Sequence, residues 1–182
     1  MPTDSLTKKQ KDLVAELEKV SELLSLDWRR IKDYDRDSRT PHLERMKRHL
    51  IIGEVVMQYT LIDEYLNVAL CHHFFGRKRS FIKLWKTKKF QHFNYNILEG
   101  LFLVEKLRYV KCFKKIPKGI AKDIEQINVL RNGLAHAFFP ENLKRSKPIY
   151  KGNSIFTFEG IRRFVEDMSE ISEFFHVHWA GD

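Results

Sequence analysis

Arg131 and His136 stand five residues apart, with Asn132 beside the arginine. Arginine is a permanent cation whose planar fork can hold two oxygens of a phosphate or a carboxylate. Histidine titrates near neutral pH and can act as general acid or general base. Asn132 can orient an imidazole or donate to a phosphate oxygen. Together these types suit the breaking of a phosphate ester. The cation would stabilise charge gathering on phosphorus oxygens while the imidazole moves a proton. The competing reading makes Arg131 a core arginine paired with a carboxylate, with Asp63 first in line and Glu99 second, and His136 a helix-end residue favourable to the dipole.

The element that must carry these residues is a helix over about 117–139. Pro117 opens it and Pro140 limits it. Ile120, Ile124, Ile127, Leu134 and Phe138 keep to one apolar stripe, and Arg131 falls inside that stripe. Five helical steps place Arg131 and His136 ~140° apart around the axis and ~7.5 Å along it, so they share no face of a regular helix. Two arrangements could unite them. Gly133 could loosen the helix, or two copies of the helix could face each other across a groove. Small Gly133 and Ala135 would permit the close approach.

Arg131-Asn132-Gly133-Leu134-Ala135-His136, at the end of an apolar-striped helix, resembles the signature of the HEPN superfamily: arginine, a polar residue, a short spacer, then histidine. The resemblance extends more loosely over about residues 47–178 as an order of helices. It implies a helical bundle that dimerises through the 117–139 helix. It also implies a metal-independent endoribonuclease with no cofactor, in which the RNA's own 2′-hydroxyl attacks. Arg131, His136 and Asn132 are then the catalytic set, and the products are a 2′,3′-cyclic phosphate and a 5′-hydroxyl. A role in toxin or defence systems, with a cognate antitoxin or regulatory protein, follows from the same likeness. Some toxin members carry a tyrosine two residues after the histidine, which a partner enzyme modifies. Phe138 stands there in this chain, so control by modification at that position is ruled out. Other superfamily members are not nucleases. The alternative is therefore a non-catalytic interaction or dimerisation module, or a nucleic-acid-binding regulatory protein.

The charge distribution bears on the partner. The 182 residues carry a formal net charge of +9. Arg77, Lys78, Arg79, Lys83, Lys86, Lys88 and Lys89 fall within 77–89 with no acid among them. This stretch, studded with Phe81, Trp85, Phe90 and Phe93, is the expected RNA-binding segment. The bland reading packs its aromatics on the core and leaves its lysines in water. A second basic run, 106–118, has Lys106 and Lys111 facing out. The last helix is acidic, with Glu159, Glu166, Asp167, Glu170 and Glu173.

No apolar run is long enough to span a membrane and no signal-peptide pattern opens the chain, so a cytoplasmic protein with no membrane partner is expected. There is no phosphate-binding Gly-rich loop, no H-E-x-x-H and no Gly-x-Ser-x-Gly. Cys71 and Cys112 are isolated and read as buried free thiols, and no metal site is expected. His176-x-His178 lacks a third ligand.

The expected fold is all-α: an antiparallel bundle of about five helices with one small β-hairpin near 149–158. Residues 1–40 read as an N-terminal helix and link, and 41–182 as the HEPN-like domain. Leu6, Leu13, Leu17, Val20 and Leu24 stripe a helix over 5–33, with Trp28 and Ile31 continuing the face. Thr40-Pro41 starts a helix that runs to about Phe75 and stops at Gly76. Asn94 caps a helix over 95–112, striped by Ile97, Leu98, Leu101, Val104, Leu107 and Val110. The hairpin turns around Gly152-Asn153, and a final helix covers about 158–177, with Val165 and Phe174 on its buried face.

Overall fold

The structure, a computed structural model, describes residues 8–24, 26–76, 81–136 and 148–177. It is all-α with one two-stranded antiparallel hairpin. In chain order the elements are α1 (Lys8–Leu23), a 3-10 turn (Trp28–Asp33), α2 (Arg39–Phe75), α3 (Phe81–Trp85), α4 (Lys88–Phe93), a π-helical turn (Asn94–Leu98), α5 (Leu103–Lys111), α6 (Lys118–His136), β1 (Ile149–Tyr150), β2 (Asn153–Ser154) and α7 (Phe158–Phe175). The chain forms two compact units, residues 1–50 and 51–182, with the boundary inside α2.

In the first unit the expected single helix is divided. α1 ends at Leu23, and Asp27 accepts from the Arg29 backbone N–H to start the separate Trp28–Asp33 turn. Trp28 is 63% exposed, so it does not continue the α1 face. Leu6 lies outside the described residues, as do the side chains of Leu13 and Leu17. Arg39 ties the link down by donating to the carbonyls of Lys32 and Tyr34. α2 begins at Arg39, one residue before the expected cap. Pro41 still sits in the first turn, where its missing N–H costs little.

The second unit holds the main core. α2 contributes Ile51, Val55, Ile62, Leu66, Ala69 and Leu70, all buried. α6 contributes Ala121, Ile124, Ile127, Leu130 and Leu134, and α7 contributes Phe164, Met168, Ile171 and Phe175. Each large apolar side chain buried this way stabilises by about 1.5–3 kcal/mol. On α7, Val165 is exposed and Asp167 is buried, the reverse of what the sequence stripe suggests. Gly76, at φ +77°, ends α2 in the left-handed conformation that glycine adopts most easily.

Two local departures from expectation matter for the site. The expected helix over 95–112 is broken. A π-helical turn ends at Leu98, and α5 starts at Leu103, where the Glu105 carboxylate accepts from the Phe102 N–H. Asn94 does not start that helix as its N-cap; it ends α4, and its amide donates to Glu99. The hairpin turns on Lys151-Gly152, both at positive φ, and pairs Ile149 with Ser154 and Tyr150 with Asn153. Two positive φ values make the primed turn that matches strand twist, and glycine supplies the second cheaply.

The hairpin is a latch between two helices. Lys151 Nζ lies 2.7 Å from Asp123 of α6 and 2.8 Å from Asp167 of α7. The Tyr150 hydroxyl donates to Asp167 at 2.8 Å. Asp167 is thus a core carboxylate rather than part of an acidic surface. This latch fixes α6, the helix that carries Arg131.

Candidate functional site

α6 is one unbroken helix from Lys118 to His136. Its buried stripe is Ala121, Ile124, Ile127, Leu130 and Leu134, at steps of three, three, three and four. Leu130 therefore takes the core position that the sequence pattern assigns to Arg131. Arg131 is one residue, ~100°, further round and lies exposed. Phe138 and Pro140 lie outside the described residues, and so does the His136 side chain. The backbone places His136 as the last residue of α6.

Arg131 rests its guanidinium over the Tyr59 ring of α2, 5.4 Å from the centroid. Its Nη1 donates to Asn132 Oδ1 at 3.3 Å. These are its partners among the described residues, and neither is a carboxylate. Asp63 is instead taken by Lys106 of α5, whose Nζ reaches both carboxylate oxygens at 2.7 and 2.8 Å. Lys106 points into the fold and is 4% exposed, although the sequence pattern sets it facing water. Glu99, the other carboxylate considered for Arg131, is exposed and accepts from Asn94.

Along α2, Tyr59, Asp63 and Asn67 form a polar line at steps of four, one above the other on a helix. The Tyr59 hydroxyl donates to Asn128 Oδ1 of α6 at 3.4 Å, a long bond. Burial raises the Tyr59 pKa; Arg131 opposes that shift and Asp63 adds to it. Asn67 donates to Asp63 at 3.1 Å, while its own Oδ1 is buried and accepts nothing.

These three residues form one wall of a cavity of about 290 Å³. Lys106 and Leu103 of α5 line it too, together with Asn94, Leu98, Glu99, Leu101 and Phe102 from the interruption before α5. The helix break thus opens the cavity beside the Arg131 face. Tyr59 belongs to both: its ring carries Arg131 and its side chain lines the cavity.

Where it is described, the basic stretch is two short helices joined by a turn at Lys86-Thr87. α3 and α4 hold it, with Thr87 capping α4 by accepting from the Phe90 N–H. Phe90 is buried and Phe93 half-buried, while Trp85 is 45% exposed and packs edge-on against Phe90. Lys83, Lys86, Lys88 and Lys89 are all exposed. The aromatics mainly fill the core and the lysines face water. Arg77, Lys78, Arg79 and the Phe81 side chain lie outside the described residues.

The remaining chemical residues stand apart. Cys71 is buried, and burial pushes its thiol up to about 11; Cys112 is exposed, contrary to the reading of both as buried. His73 stacks on Phe113 at 3.9 Å and His176 lies edge-on to Tyr65, while His178 lies outside the described residues. Among the described residues no cluster of His, Cys, Asp or Glu could hold a metal, and no helix is long and apolar enough to cross a membrane.

Sequence reasoning missed Tyr59, Asn67, Lys106 and Asn128 as members of the site. The four-residue spacing of Tyr59, Asp63 and Asn67 was a signal for the first two. Nothing local marked Lys106, because only the path of α5 brings it to Asp63. Compared with family models, with characterised proteins and with solved structures, the chain matches none.

Proposed function

We propose that the protein is a cytoplasmic, metal-independent endoribonuclease of HEPN type, with Arg131, Asn132 and His136 as its catalytic set. The observation that carries this reading is Arg131 itself. It is exposed, held over an aromatic ring, and paired with no carboxylate among the described residues. Its charge is available to a phosphate, whereas Asp63, the carboxylate that the sequence put first as its counter-ion, is spent on Lys106.

An unbroken α6 argues for a site built by two copies. A regular helix keeps Arg131 and His136 on different faces. Val129, Asn132 and His136 share one face at steps of three and four, and Val129 is 67% exposed there. A Cβ added at Gly133 would meet nothing within 4 Å, so this stretch is open to a close neighbour. A second α6 set over Asn132 and Ala135, the exposed positions that lie between Arg131 and His136 around the helix, would bring one copy's histidine to the other copy's arginine. One imidazole then takes the 2′-hydroxyl proton and the other protonates the departing 5′-oxygen. Arg131 stabilises the charge on the phosphate, and Asn132, four residues from His136, orients the imidazole. The exposed lysines of α3 and α4 supply attraction for the strand. A cognate antitoxin or regulator is the partner that such a toxin or defence nuclease would require.

The test is an RNase assay in EDTA, with wild type beside His136→Ala and with the product ends analysed. Wild type is expected to leave cyclic-phosphate ends, and His136→Ala to lose at least a hundredfold in rate while keeping its fold. Equal cleavage by both proteins would remove His136 from the chemistry. No cleavage of a broad RNA panel by folded wild type would favour the non-catalytic alternative.

A further inference from the structure

We propose that the cavity beside Tyr59 is a base pocket that takes one unstacked nucleobase bearing an exocyclic amino group. The proposal rests on the ribonuclease reading for its neighbour, the phosphate on Arg131. The cavity itself makes the chemical argument.

Its lining is net negative: Asp63 and Glu99 against Lys106, whose charge Asp63 already holds. A phosphate does not suit such a cavity. The polar wall is rich in acceptors. Asn67 lines the cavity, and its Oδ1 is buried and accepts nothing. Glu99 is exposed and accepts from the Asn94 amide. Among the described residues the Tyr59 hydroxyl is held only by a long bond to Asn128, so it can donate elsewhere. An amino group beside a ring nitrogen matches this set: the amine donates to Asn67 or Glu99, and the ring nitrogen accepts from Tyr59. Uracil lacks the amine; its single edge donor, N3–H, lies between two carbonyl oxygens, so donating from it brings a carbonyl oxygen against the acceptors.

Size and walls agree. About 290 Å³ is at the lower end of ligand pockets, room for one base and not for a pair. Leu98 and Leu101 give an apolar wall, and Phe102, 76% exposed at the rim, offers a ring for stacking. Tyr59 links the pocket to Arg131, so base and phosphate of neighbouring nucleotides could be held together.

The experiment titrates adenosine, cytidine, guanosine and uridine into the full-length protein and follows its amide NMR spectrum. Cleavage positions are mapped in parallel on an RNA of mixed sequence. Asn67→Leu removes the unpaired acceptor; Phe102→Ala trims an exposed ring and leaves the core untouched. Wild type is expected to bind the amino-bearing nucleosides roughly tenfold more tightly than uridine, the worth of about one hydrogen bond. Asn67→Leu should erase that difference, and Phe102→Ala should weaken all four. Cleavage should favour the same bases, and Asn67→Leu should lose the preference while still cutting. Equal binding of uridine, or no nucleoside binding with indiscriminate cleavage, overturns the pocket and leaves the nuclease standing. Selective nucleoside binding without any cleavage supports the pocket and removes the nuclease.

Discussion

Lys106 and Arg131 exchange the roles that their positions in the chain suggest. The lysine, on a short basic helix, is buried against Asp63. The arginine, next to a core leucine, is exposed. Their stability effects should therefore differ. Lys106→Met strands a carboxylate whose side chain is only 27% exposed. Losing a partner of a fully buried pair costs about 3–5 kcal/mol, and the partial exposure of Asp63 lowers the expected loss to about 2–3 kcal/mol. Asp63→Asn combined with Lys106→Met should recover most of that. Arg131→Ala gives up a contact with Tyr59 worth about 0.5–1 kcal/mol. Urea denaturation of the set checks the order, and an Arg131→Ala loss as large as that of Lys106→Met would make Arg131 a structural residue after all.

At the scale of elements, the latch between hairpin, α6 and α7 has a tight steric condition. A Cβ at Gly160, in the first turn of α7, would collide with the Ser154 carbonyl of β2. That clash is with backbone, so the strand or the helix must move. Gly160→Ala is expected to destabilise by about 2–3 kcal/mol and to weaken protection of the hairpin amides in hydrogen exchange. Gly53→Ala, at an exposed position of α2, makes the internal control, because nothing stands near its Cβ. It should stabilise by about 0.5–1 kcal/mol. Equal behaviour of the two variants would contradict the packing of α7 on the hairpin.

The whole molecule should be sensitive to alkali. Burial, the hydrogen bond to Asp167 and the nearby carboxylates all raise the pKa of the Tyr150 hydroxyl, against a small opposing effect of Arg163. Burial alone would lower the Lys151 value, but its bonds to Asp123 and Asp167 outweigh that and raise it. Cys71 moves up to about 11 through burial. In each case the folded state keeps a proton that the unfolded chain releases earlier. The unfolded state then binds fewer protons, so stability falls as pH rises. The contribution is complete below the unfolded values, about 8.5 for cysteine and about 10 for tyrosine and lysine, and is lost on passing upward through the folded ones. The melting temperature should stay level from about pH 7 to 8.5 and decline above it. Tyr150→Phe should start lower, by about 1–2 kcal/mol, and decline less steeply. An identical alkaline slope would show that Tyr150 does not couple to folding.

The sequence by itself determined the helical class, the end of α2 at Gly76, the span of α7 and the motif on one helix. These rest on periodicity, glycine and proline, which act within a few residues. It also marked the aromatics of 81–93 as core candidates, as Phe90 proves to be. Only the tertiary structure decided which neighbour of a stripe faces inward. Leu130 and Arg131 differ by one helical step, and the choice depends on where α6 meets the core. The partner of Asp63 was decided in the same way, since Lys106 is 43 residues away in the chain. The break before α5 that opens the cavity was likewise hidden. Leu101 and Val104 keep helical spacing, and only packing against α2 shows the chain turning aside.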